Sequence, residues 1–193
     1  MRAALGLLYG TVELRPHTVE WARLFAAEAE RLAPVLAAVL APRCFRVEHV
    51  GSTAVPGLAA KPILDIAVGV SAGVAIEPIL SALATAGYHY RGDAGQAGGH
   101  VLVRESAPLM RTHHLHVVDL GGAAWQAYLT FRDRLRTDAD ARQAYLEAKH
   151  ALATRHREDR RAYTAGKSAI ITALLVRGNV AARGGSGAPA AET

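Results

Sequence analysis

The stretch Glu48-His49-Val50-Gly51-Ser52-Thr53-Ala54-Val55-Pro56-Gly57-Leu58-Ala59-Ala60-Lys61-Pro62-Ile63-Leu64-Asp65-Ile66 decides how this chain is read. Its left half closes an alternating run that starts at Cys44, the pattern of a β-strand, and breaks at Gly51-Ser52. Its right half opens an apolar, β-branched run over 62–70 that carries one charge, Asp65. Such a run is a strand buried on both faces. A strand ending in Gly-Ser at a helix start offers backbone N–H groups and a hydroxyl to a phosphate oxygen. A carboxylate inside an apolar strand calls for a cation or several donors beside it. Taken singly, Gly51-Ser52 reads as a helix cap and Asp65 as half of an ion pair; together they point to a phosphate and metal site.

Outward from this stretch, residues 19–40 place Trp21, Leu24, Phe25, Leu32 and Leu36 at helical spacing, with Pro34 as a kink or restart. A compact helix over 77–86 stops at Gly87. Short strands follow at 88–91, 100–105 and 113–120, with a glycine-rich loop over 92–99 and a turn near Pro108. From Ala123 the period becomes helical, with a last helix over about 163–176 and an expected disordered tail over 178–193. The order argues for one α+β domain over 10–176, a mixed β-sheet flanked by helices with a helical C-terminal part.

Composition bounds the function. The 193 residues weigh 20.4 kDa, 51% are hydrophobic and the mean hydropathy is +0.12, so the chain can bury a core. One cysteine, Cys44, excludes a disulfide framework and any cysteine-clustered zinc site and fits a reducing cytoplasm. No apolar run reaches the roughly 20 residues that span a bilayer, and residues 1–10 lack a signal-peptide pattern. A soluble cytoplasmic protein is expected. The formal charge of +5 is uneven: ten Lys and Arg balance ten Asp and Glu up to Leu120, against twelve and seven from Gly121 onward. The basic run from Arg155 to Arg161 holds Glu158 and Asp159 and lacks interleaved aromatics, which reads as a solvated face and argues against nucleic acid.

Several side chains join the central stretch as candidates. His114 and His116 lie two apart on one strand and face one side, a metal pair if Asp65 or Glu48 lies across the sheet; otherwise they hydrogen-bond within a polar pocket. His49 is a phosphate contact, a base or a structural donor. Lys61 reaches phosphate or, more simply, solvent. Arg104 shares a strand face with His100 and Leu102 and is a phosphate clamp if that face lines a cleft. Arg132, Arg136 and Lys149 interleave with core positions of the C-terminal helices.

The central stretch closely resembles the signature of the GrpB family. Trp21, the His114-Leu115-His116-Val117 strand, the 131–136 helix and the pairs Tyr145/Lys149 and Tyr163/Lys167 extend the resemblance over about 10–176. The family is similar to the nucleotidyltransferase superfamily and to a domain fused behind some dephospho-coenzyme A kinases. The resemblance implies a nucleotidyltransferase that moves a nucleoside monophosphate from a nucleoside triphosphate to a small acceptor with Mg²⁺. It implies Gly51, Ser52 and Thr53 on the phosphates, with Asp65 on the metal and Glu48, His114 or His116 as further ligands or, for Glu48 and His116, a base. Lys61, Arg104, Arg132, Lys149, Tyr163 and Lys167 would bind the triphosphate. One departure stands out. Two-metal transfer uses an Asp-x-Asp pair with both carboxylates on one strand face, and the second position here is Ala67. Glu48 or Asp119 would have to substitute, or one metal binds, or the protein is a noncatalytic nucleotide- or cofactor-binding module.

Overall fold

The computed structural model describes residues 5–95 and 98–184. Six strands, β1 (Leu7–Leu8), β2 (Phe45–Val50), β3 (Leu64–Val70), β4 (His89–Asp93), β5 (His100–Ala107) and β6 (Met110–Asp119), form one sheet. Among the described residues five α-helices accompany it: α1 (Glu20–Leu40), α2 (Ile76–Thr85), α3 (Ala123–Thr137), α4 (Ala139–Arg155) and α5 (Arg160–Gly184). The order across the sheet is β2-β3-β6-β5-β4, with β3 and β6 parallel and the other pairs antiparallel. This is the α+β mixed sheet with a helical C-terminal part that the sequence implies. β1, a two-residue strand with no sequence signal, pairs with Met110 and Arg111 of β6, below the level at which β3 begins at His113.

β3 is central because both its faces are covered. Leu64, Ile66 and Val68 pack with Leu32, Leu36 and Leu40 of α1, Ile79 and Leu83 of α2, and Leu115. On the opposite face Ala67 packs with Val50, Val118, Ala124 and Trp125. Gly69 is required there, since a Cβ would lie 2.7 Å from the Trp125 ring. A third cluster of Val55, Leu58, Phe131, Leu135, Tyr145 and Leu174 joins α3, α4 and α5 to the segment that precedes β3. Pro34 lies inside α1 without ending it. α5 runs to Gly184, past the stop expected at Gly178, and the rest of the expected tail, 185–193, lies outside the described residues. Among the described residues no helix is long and apolar enough to cross a membrane.

One polar hub ties α1 to the sheet. Glu28 is 5% exposed; its carboxylate accepts from Arg31 at 2.5 Å, from the Tyr88 hydroxyl at 2.7 Å and from Arg104 at 2.8 Å. Arg104 is therefore turned to the α1 face, opposite Asp65, and is not a phosphate clamp. The face alternation expected for His100, Leu102 and Arg104 is right, but it is α1 and α2 that cover that face. Burial raises the Glu28 carboxyl, yet the bonds from Arg31 and Tyr88 and the charges of His113 and Arg104 outweigh it and hold the group below the ordinary glutamate range. Its contribution is thus present above that range and lost as pH falls. Glu28→Ala strands two guanidiniums and is expected to cost about 3 kcal/mol in denaturant unfolding; a loss under about 0.5 kcal/mol would overturn the hub.

Candidate functional site

The strand register builds the site. Val50 pairs with Asp65 and Glu48 with Ala67 across the antiparallel β2–β3 ladder, while Asp65 lies beside His114 and Ala67 beside His116 across the parallel β3–β6 ladder. Val101 and Val103 of β5 complete this face, being opposite His116 and His114. α3, α4 and α5 lie over it and leave a cleft of about 790 Å³. At its floor the chain leaves β2 through Gly51, with φ +69° and ψ −168°, and enters a 3₁₀ turn over Ser52–Ala54. Only glycine fits: a Cβ on Gly51 would overlap the Asp65 carboxylate, whose own Cβ would be 2.8 Å away.

Asp65 and His114 form a fixed pair. His114 Nδ1 is 3.1 Å from Asp65 Oδ1, and its Nε2 is 2.8 Å from an Arg160 nitrogen. A guanidinium can only donate, so Nε2 accepts and Nδ1–H donates to Asp65, the neutral tautomer. Burial, helped by Arg160 and Lys61 and opposed by Asp65, lowers the His114 pKa to about 4. Burial alone would raise the Asp65 carboxyl, but the His114 hydrogen bond and the charges of His114, His116 and Lys167 hold it below the ordinary range, so it is ionised at neutral pH. His116 is lowered by burial against the pull of Asp65, and its Nδ1 is 3.0 Å from the Tyr128 hydroxyl.

Cations dominate the rest. Among the described residues that line the cleft, Lys61, Lys149, Arg160 and Lys167 face one carboxylate, Asp65, while Arg91 and Arg111 pair with Glu105 at 3.6 Å and 3.7 Å. Lys61 and Lys167 place Nζ 5.2 Å and 5.1 Å from the Tyr163 ring centre. Lys149 is 1% exposed, donates to the Ala59 carbonyl and lies 5.3 Å from the Tyr145 ring. Burial, then the neighbouring Lys167 and Arg160, pushes Lys61 down to about 7, against the opposing pull of Asp65. Burial with Lys167 and Lys61 lowers Lys149 well below the lysine range. Tyr163 is fully buried and its hydroxyl has no hydrogen-bond partner among the described residues. At the mouth, the Arg111 and Arg160 guanidiniums lie 4.2 Å and 5.6 Å from the Tyr9 ring centre.

Of the residues expected from the sequence, the structure brings Gly51, Ser52, Thr53, Lys61, Asp65, His114, His116, Lys149, Tyr163 and Lys167 to this cleft. Thr53 contributes backbone, because its hydroxyl bonds His49 Nε2 at 3.0 Å. His49 stacks on Phe25 on the other side of the sheet, so its structural role holds. Glu48 and Arg132 are spent on each other at 2.7 Å, with Arg132 also donating to the His49 carbonyl and to Asp133. Asp119 lines a different depression and does not join Asp65. Among the described residues no three of His, Cys, Asp and Glu gather as a metal-holding group. Sequence reading missed Arg160, Arg111, Tyr9 and Tyr128. Arg160 is hidden in a basic run that looks solvated, and the other three lie outside the central motif.

Gly51→Ala strains a backbone open to glycine and strikes Asp65, so unfolding stability is expected to fall by about 3 kcal/mol; a variant as stable as the parent would refute the packing. A lysine whose folded pKa is depressed from 10.5 to about 7 leaves the unfolded chain binding the extra proton between those values, so stability from this group rises with pH through that window. Side-chain NMR is expected to show one lysine midpoint near neutrality that disappears in Lys61→Met. Midpoints confined to the ordinary lysine range would contradict it.

Comparison with known proteins agrees with this architecture. The family described as GrpB protein matches residues 11–177. The chain is 40% identical over 172 residues to a UPF0157 protein of Streptomyces coelicolor, covering 89% of this chain and 87% of that one. It is 32% identical over 179 residues to a dephospho-CoA kinase of Mycolicibacterium paratuberculosis, covering 81% of this chain but 43% of the kinase. The crystal structure of the conserved protein GrpB from Enterococcus faecalis superposes with a TM-score of 0.68 at 31% identity, covering 86% of this chain and 98% of that one. With residues 11–177 matched by the family and the fold shared with a GrpB crystal structure, this chain belongs to the GrpB family.

Proposed function

We propose that this chain is a nucleotide-binding module, holding the phosphates of a nucleotide in the cleft between the sheet and the C-terminal helices. The charge imbalance carries the reading: among the described residues that line the cleft, Lys61, Lys149, Arg160 and Lys167 face the one carboxylate of Asp65, Arg91 and Arg111 being paired with Glu105, and this makes a pocket that attracts a compact polyanion. Lys167 offers an ammonium donor, Lys61 and Lys149 offer amines that a bound anion draws back to the protonated form, and Arg160 offers a guanidinium able to reach two oxygens. The backbone of Gly51, Ser52 and Thr53 adds N–H donors at the floor. The free, exposed Cys44 accords with a reducing cytoplasmic setting.

Transfer of a nucleoside monophosphate to a small acceptor is the second reading, favoured by an ionised Asp65 that opens to the cleft. Its usual Mg²⁺ pair finds a poor donor set. Mg²⁺ prefers oxygen ligands, Ala67 offers none, Glu48 is held by Arg132, and both His114 nitrogens are engaged. The module is therefore preferred. Calorimetry with ATP, GTP, CTP and UTP is expected to show binding of at least one, with no pyrophosphate released over a panel of acceptors. Absence of binding overturns the proposal; acceptor-dependent pyrophosphate release replaces the module with the transferase.

A further inference from the structure

We propose that the cleft takes its polyphosphate as the metal-free anion, with Lys61, Lys149, Lys167 and Arg160 supplying the charge a divalent cation would otherwise bring and the Tyr163 hydroxyl donating to a phosphate oxygen. The inference rests on the nucleotide reading and deepens it.

Three observations support it. The first is the donor set: a metal entering with the phosphates would meet one carboxylate and a ring of cations. Like charges brought together in a partly desolvated site cost free energy. The second is the crowding of the lysines themselves. Lys61 and Lys167 lie on the same Tyr163 ring, and Lys149 is buried nearby with its donors only partly used. Asp65 is the single charge of opposite sign among the described lining residues, Glu105 outside them being taken by Arg91 and Arg111, and it already accepts from His114. An anion with several negative oxygens relieves that repulsion, whereas a magnesium chelate arrives with much of its charge neutralised. The third is the Tyr163 hydroxyl, fully buried on the cleft wall and without a partner among the described residues. An orphaned buried donor costs about 1–3 kcal/mol, and a ligand oxygen would satisfy it. Its pKa is pushed up, chiefly by burial and then by Tyr145 and Asp65, so it stays a donor at neutral pH.

The test is calorimetric titration of the full chain with ATP and with inorganic tripolyphosphate, once in EDTA and once in excess Mg²⁺. Binding of both in EDTA, weakened about tenfold by Mg²⁺ (~1.4 kcal/mol), is the expected result. Tyr163→Phe is expected to leave the melting temperature unchanged or higher, because it removes an unsatisfied hydroxyl, while weakening tripolyphosphate about fivefold. A purely structural Tyr163 would not separate these two readouts. Binding that needs Mg²⁺ and vanishes in EDTA overturns the metal-free inference and leaves the nucleotide reading intact. No binding in either condition removes both. Tripolyphosphate binding unchanged in Tyr163→Phe overturns the assignment of the hydroxyl.

Discussion

An ionised carboxylate in a strand buried on both faces must be compensated by what lies around it. Asp65 imposes that constraint on this molecule. Its strand cannot move away, because Leu64, Ile66 and Val68 anchor the other face in the main core. The compensation is therefore brought to it: His114 from the parallel neighbour, Arg160 behind His114, and the Gly51 backbone passing so close that no side chain fits. The parallel pairing of β3 with β6 that brings His114 alongside needs a long crossover, which α2, β4 and β5 supply.

The same constraint shapes the cleft. An excess of positive charge would be hard to hold near an apolar sheet without a counter-ion, and Asp65 pulls Lys149 of α4 and Lys61 of the 55–63 segment toward their charged forms. The compensation is partial, since burial still depresses Lys61 and Lys149. What remains is a pocket with unspent positive potential, the physical basis for reading it as an anion site. Glu48 and Arg132, by contrast, neutralise each other and fasten α3 to β2. They are part of the scaffold that keeps the cleft open.

Legibility in the sequence followed interaction range. The Gly51-Ser52 turn, Asp65 and the His114/His116 alternation were readable because each depends on neighbours within a few residues. Arg104 and Arg160 were misread for one reason in opposite directions. Strand alternation tells which residues share a face and is silent on which layer covers that face. Arg104 meets Glu28, distant by 76 positions, and Arg160 meets His114, distant by 46. Arg160 sits in a run of charges whose local pattern is that of any solvated helix face.

The sequence by itself determined the family, the α+β class, the strand that carries Asp65 and the absence of a second carboxylate at Ala67, since these are properties of order and local period. Tertiary structure decided which cations face Asp65, that Glu48 is occupied by Arg132, and that the buried Tyr163 hydroxyl finds no partner among the described residues. Those outcomes depend on how α3, α4 and α5 dock on one face of the sheet. Docking is a sum of many weak apolar contacts, and no short motif encodes it.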